Sequence, residues 1–118
     1  MQASFADIDA GISALERRLA AGDVLALAEA LDETMRLARQ LVEAAHPPAV
    51  DAADLLEAFK LLARSDPAWN AVRDNLRELV FYRNCMDAGR LDALPPVPEK
   101  MAVRTARHLY LYFRTRCG

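Results

Sequence analysis

The sequence predicts an all-α protein: an up-and-down bundle of four or five helices in which residues 1–118 form a single domain. Hydrophobic residues make up 53% of the 118 residues, and most of them are alanine and leucine, which are strong helix formers. Valine and isoleucine, which favour strands, are few. Apolar residues also recur at spacings of three and four, the period of one helix face.

The first two helices are predicted over residues 5–21 and 24–45. Ser4 and Asp7 have the spacing of a capping box at the start of the first helix, and Asp23 is placed to cap the second. An apolar stripe runs along each helix: Phe5, Ile8, Ile12, Leu15 and Leu19 in the first, and Val24, Ala28, Leu31, Met35, Ala38 and Val42 in the second.

Three further helices are predicted over residues 51–64, 67–88 and 98–116. The proline pair at 47–48 ends the second helix, because proline lacks the amide hydrogen that a helix interior needs. Segment 90–97 is rich in leucine and proline, so we expect it to pack across one end of the bundle. The connections are short, which suits antiparallel neighbours.

The charges divide the chain into two opposite halves. Residues 1–59 contain eleven acidic and four basic residues, whereas residues 60–118 contain six acidic and eleven basic residues. The stretch 100–118 has five basic residues and no acidic one. Such asymmetry indicates an interaction surface, within the chain or with a partner.

Composition and motifs exclude several classes of protein. No apolar run approaches the length of about 20 residues that spans a membrane, and the first residues lack the pattern of a signal peptide. We therefore expect a cytoplasmic protein with reduced cysteines. The chain has no glycine-rich phosphate loop, nucleophile elbow or zinc-ligand spacing, so we expect no cofactor, no metal and no catalytic residues.

Cys85 and Cys117 are not expected to form a disulfide. If the last two helices are antiparallel, the two cysteines lie about 22 Å apart at about 1.5 Å per residue. A disulfide requires Cα atoms within about 7 Å of each other.

Two groups of residues have partial metal-site patterns. Glu43 and His46 have the Glu-x-x-His spacing of di-iron bundles, but those proteins need a second pair that this chain lacks. A role at the helix end is favoured for His46. Several carboxylates could bind Mg²⁺. Their positions relative to the apolar stripe of the second helix favour a solvated face instead. These residues are Glu29, Asp32, Glu33, Asp51, Asp54 and Glu57.

Arg83 lies close to the inner side of the fourth predicted helix. A buried guanidinium needs a carboxylate or an anion as partner. Arg83 and Asn84 could therefore bind an anion in a small pocket. The favoured alternative is an ion pair of Arg83 with Asp87 or with an acidic residue of the N-terminal half.

The last helix carries the main functional prediction. Basic residues are predicted to lie together opposite its apolar seam, with aromatic residues beside them; the candidate contacts are Arg104, Arg107, His108, Tyr112 and Arg114. Such a face suits phosphate contact. Packing against the acidic helices, either within one chain or in a second copy, is the favoured interpretation, and a plain solvated surface is a further alternative.

Four leucines lie off the predicted stripes and are interpreted as an oligomer interface: Leu25, Leu37, Leu61 and Leu111. Exposed apolar patches commonly mark interfaces. The first hypothesis is thus a small bacterial cytoplasmic, non-catalytic interaction or regulatory module that forms a homodimer or binds another protein. The alternative is binding of nucleic acid or another polyanion through residues 100–116. The third is an enzyme with Glu43 and His46 or the Arg83 pocket as its site.

Overall fold

The computed structural model describes residues 2–118, and within that range it contains α-helices, 3₁₀ segments and no strand. The helices are α1 (Phe5–Ala20), α2 (Leu27–Ala45), α3 (Leu55–Ser65), α4 (Arg73–Asp87) and α5 (Pro98–Cys117). The 3₁₀ segments are Pro47–Asp51, Pro67–Val72 and Leu91–Ala93. The predicted all-α helical bundle is confirmed. None of the helices in residues 2–118 has the length and apolarity needed to cross a membrane.

Helix α2 is the centre of the bundle. It packs against each of the four other helices, and its interface with α5 is the largest in the molecule. Helix α1 lies against both α2 and α5. All five helices contribute side chains to one continuous apolar core, so the structure buries them together as one unit.

Side-chain caps fix the starts of two helices. The Ser4 hydroxyl accepts a hydrogen bond from the Asp7 amide at 3.0 Å, and the Asp7 carboxylate accepts one from the Ser4 amide at 3.3 Å. This capping box was predicted from the sequence. Asp54 caps α3 by accepting from the Glu57 amide at 2.9 Å, so the third helix begins later than the predicted residue 51.

The predicted start of the second helix is wrong. Helix α2 begins at Leu27, its N-cap is Ala26, and Val24 is 90% exposed rather than part of the apolar stripe. The Arg18 guanidinium donates to the Val24 carbonyl at 3.1 Å and to the Glu29 carboxylate at 2.6 Å. That carbonyl therefore bonds outside the helix, and the helix begins three residues later than predicted, after the extended N-cap Ala26.

The fourth predicted helix and the segment after it also differ in part. Residues 67–72 are a 3₁₀ segment in which Trp69 is buried against Phe113, with ring centroids 4.5 Å apart. In the segment 90–97, Leu94 packs on the core, whereas Leu91 and Val97 are exposed. The expected packing of that segment across the bundle end holds for Leu94 only.

Two of the four leucines assigned to an interface are core residues. The exposure expected for Leu25 and Leu37 is wrong, since they are 6% and 1% exposed. Leu61 is half-buried, and only Leu111 is well exposed, at 55%. For Leu37 the reason is that α2 has neighbours on several sides, so it buries more than the single stripe that was predicted. Leu25 precedes α2 and packs into the same core. Leu37 also lies against Gly11, where an added Cβ would come within 2.8 Å of its side chain.

Truncation of Leu37 and of Leu111 to alanine compares a buried position with an exposed one. We expect Leu37→Ala to lower the free energy of unfolding by about 2–5 kcal/mol, because it leaves a cavity in the core. Leu111→Ala should change it by no more than about 0.5 kcal/mol, because the side chain is exposed. Urea denaturation of both variants checks this. Equal effects would contradict the assignment of Leu37 to the core.

The N-cap of α5 is strained. Val97 has a φ of +50° and a ψ of +59°, a left-handed conformation that is unfavourable for a β-branched residue. It also lies between Pro96 and Pro98, and a following proline restricts the backbone further. Its side chain is 53% exposed, so little burial compensates for the strain.

Glycine at position 97 should relieve this strain. We expect Val97→Gly to raise the free energy of unfolding by about 1 kcal/mol, since glycine adopts positive φ freely. Val97→Ala is the matched control, because it shortens the side chain but keeps the Cβ atom and so should give no comparable gain. Urea denaturation measures both. A loss of stability in Val97→Gly would show that the conformation is not strained.

Candidate binding surfaces of the C-terminal helix

Arg107 joins α5 to α1 through a set of hydrogen bonds. Its Nη1 donates to Asp9 at 2.7 Å, its Nη2 donates to Ser13 at 3.0 Å and to Glu16 at 2.8 Å, and its Nε donates to Glu16 at 3.2 Å. The acceptors follow one face of α1. The hydrogen bond with Glu16 is the main cause that raises the pKa of Arg107 above its ordinary value, so this contact stays charged.

The predicted outward position of Arg107 is therefore wrong. Its side chain is only 21% exposed, and four of the five guanidinium hydrogens have partners on α1. Position 107 follows Val103 by four residues and precedes Tyr110 by three, so it shares their side of the helix. Arg107 therefore packs against an acidic helix of the same chain, which is one of the interpretations of the basic residues given above.

Arg83 has the ion-pair surroundings that were favoured for it. Its guanidinium pairs with Asp32 of α2 and with Asp87, 3.3 Å away, one turn along α4. The hydrogen bonds to Asp32 and then Asp87 raise the pKa of Arg83. With both carboxylates in place, Arg83 links α4 to α2 and has two acidic partners of its own, which is the ion-pair alternative rather than an anion pocket.

The end of α5 is attached to the 3₁₀ segment before α4. Arg116 pairs with Asp66 at 2.9 Å and lies over the ring of Trp69, 5.1 Å from its centroid. Tyr112 donates to the Ala68 carbonyl at 3.3 Å. Tyr112 is thus engaged within the chain. Arg114 lies over the ring of Phe5 at 5.7 Å.

A stripe of exposed residues remains on the outside of α5. It consists of Arg104, His108, Leu111 and Thr115, and we call it the outer stripe. The spacings of four, three and four place these residues on one helix face. A shallow depression of about 420 Å³ lies along its second half. Leu111 is the one large apolar side chain in the stripe.

A cleft lies between the end of α1 and the start of α5. It encloses about 520 Å³, and its lining residues are Glu16, Leu19, Ala20, Val97, Lys100, Val103, Arg104 and Arg107. Of the predicted site residues, only Arg104 and Arg107 reach it. The sequence did show basic residues four apart at 100 and 104, but not which helix would close over them.

Several residues of the partial metal-site patterns form hydrogen bonds and ion pairs with arginines. The Glu43 carboxylate accepts from Arg39 Nε at 2.9 Å, and Arg39 also donates to the Ala52 carbonyl at 2.7 Å. Glu29 and Asp32 pair with arginines. Residues 2–118 contain no group of three or more potential ligands positioned for a metal ion. Cys85 and Cys117 are both free thiols, the first buried and the second exposed.

Comparisons of the chain with protein-family models, with curated proteins and with solved structures found no significant match.

Two arginines of α5 offer a matched test of the contact with α1. We expect Arg107→Gln to lower the free energy of unfolding by about 1–2 kcal/mol, because hydrogen bonds to charged groups are lost and the partly exposed carboxylates limit the loss. Arg104→Gln should change it by no more than about 0.5 kcal/mol, since that residue is exposed. Urea denaturation at low salt measures both. Equal stabilities of the two variants would contradict a structural role for Arg107.

Proposed function

We propose that this protein is a small cytoplasmic, non-catalytic interaction module that binds an acidic protein partner through the outer stripe of α5. The observation that carries the proposal is the exposure of the Leu111 side chain. This side chain is 55% exposed in the middle of a helix face, in a stretch that has five basic residues and no acidic one. Arg107 and Arg116 are paired with carboxylates. In the part of the chain that the structure describes, the basic residues of α5 without such a pair are Lys100, Arg104 and Arg114. An apolar contact beside unpaired positive charge suits a partner with the opposite charge.

A heterologous partner suits the outer stripe better than a second copy. Pairing of the outer stripe with its own copy would bring Arg104 of both chains to an interface to which the stripe contributes no acidic residue, and like charges oppose each other. Two of the four leucines that motivated self-association are buried. The opposite charges also meet within one chain, where Arg107, Arg83 and Arg116 pair with acidic residues.

A protein partner also suits this surface better than a nucleic acid. Phosphate binding depends on several basic residues that release counterions. Arg107 and Arg116 are already paired with carboxylates, which leaves Lys100, Arg104 and Arg114. Leu111 lies between Arg104 and Arg114 in the sequence, and its apolar side chain offers no favourable contact to a phosphate group.

Photo-crosslinking from position 111 tests the proposal. Benzoylphenylalanine is placed at position 111 or at position 50, because Leu111 and Val50 are equally exposed, at 55%, on different elements. We expect irradiation of cells to give a discrete crosslinked protein from position 111 and not from position 50. Mass spectrometry should identify it as an acidic protein other than this chain.

Binding of the purified partner provides the second readout. We expect Leu111→Glu to weaken it at least about tenfold, since the substitution places a carboxylate where the partner is acidic and removes an apolar contact. Val50→Glu should leave it unchanged, and added salt should weaken it. Crosslinking only between two copies would replace this proposal by self-association, and crosslinking to nucleic acid would favour the polyanion alternative.

A further inference from the structure

The cleft between α1 and α5 has the size of a small-molecule site. Its volume of about 520 Å³ lies within the range of about 300–1,000 Å³ that is usual for ligand pockets. Its accessible apolar part is formed by Leu19 and Ala20 of α1 and by Val97, the N-cap of α5; Val103 lies beneath it and is 2% exposed. Val97 is 53% exposed, so a ligand with an apolar body would cover side-chain surface that now faces water.

The charges at the cleft leave an excess of positive charge. Both oxygens of the Glu16 carboxylate accept from Arg107, so this pair is satisfied within the protein. Lys100 and Arg104 also line the cleft. Among residues 2–118, neither has a carboxylate within salt-bridge distance.

The positions of Lys100 and Arg104 are unfavourable for the helix itself. They lie four residues apart on one face of α5, and like charges at this spacing repel each other. Lys100 is also in the first turn, where the helix dipole disfavours a positive charge. An anion held between the two side chains would remove both disadvantages.

We propose that this cleft binds a small organic anion: a carboxylate that carries an apolar chain. The carboxylate would be bound by Arg104, whose planar guanidinium matches it in two hydrogen bonds, and by Lys100. The chain would lie on Leu19, Ala20 and Val97. Arg107 is a positioning residue here, since its bonds to Glu16 keep that carboxylate from competing for the two free basic residues.

Calorimetric titration of the full chain with decanoate, below the concentration at which it forms micelles, tests this site. We expect one molecule to bind per chain. Decanol should bind at least tenfold more weakly, and decyltrimethylammonium should not bind, because the headgroup must be an anion. Shortening the acid to octanoate should weaken binding about fivefold or more, since each buried methylene contributes to affinity.

Paired charge variants locate the binding. The double variant Lys100→Gln with Arg104→Gln should weaken decanoate binding at least tenfold. The control is Arg64→Gln with Arg77→Gln, which removes the same charge from exposed positions on α3 and α4 and should bind as the wild type does. Circular dichroism confirms that each variant is folded.

Three results would overturn the proposal: no binding of decanoate, equal binding of decanol, or an equal effect of both double variants. The ligand site and the partner surface share only Arg104. Leu111 does not line the cleft, and Lys100 is not in the outer stripe. Leu111→Glu should therefore leave decanoate binding unchanged, and failure of one proposal can be distinguished from failure of the other.

Discussion

The burial of α2 by all four other helices is the constraint on which the rest of the structure depends. A helix with one neighbour needs one apolar stripe, whereas α2 has to bury Leu31, Leu37, Leu41 and Val42 on more than one side. The close approach of α1 is possible because residue 11 is glycine. With α2 enclosed in this way, α5 keeps one face for the core and leaves its outer stripe free.

The opposite charges of the two halves of the chain have mainly a structural use. Arg83 and Arg107 come from the basic half and pair with carboxylates of the acidic half, whereas Arg116 pairs with Asp66 of its own half. These pairs fix how α4 and α5 are placed. The more exposed pairs contribute little stability, whereas the less exposed Arg107, with four hydrogen bonds to α1, contributes more. Within residues 2–118, two basic residues of α5 without such a pair lie in the proposed binding surfaces: Arg104 belongs to both, and Lys100 lines the cleft.

Local features of the fold could be predicted from the sequence, and features that depend on distant neighbours could not. The Ser4 cap and the buried seam of α5 follow from residues within a few positions of each other. The burial of Leu37 and the inward direction of Arg107 depend on which helices pack beside them. The cleft was not predicted, because its walls come from residues 16–20 and 97–107, which only the tertiary structure brings together.

The two helices of the largest interface, α2 and α5, are synthesised far apart in time. Helix α2 is complete once residue 45 has been made, but its largest partner is α5, which begins at Pro98. While the ribosome adds the intervening residues, the surface of α2 that α5 will cover remains exposed to water. Such transient apolar surfaces are prone to aggregate. The surface of α2 that α5 covers therefore stays unprotected for longer than the surfaces that α1, α3 and α4 cover.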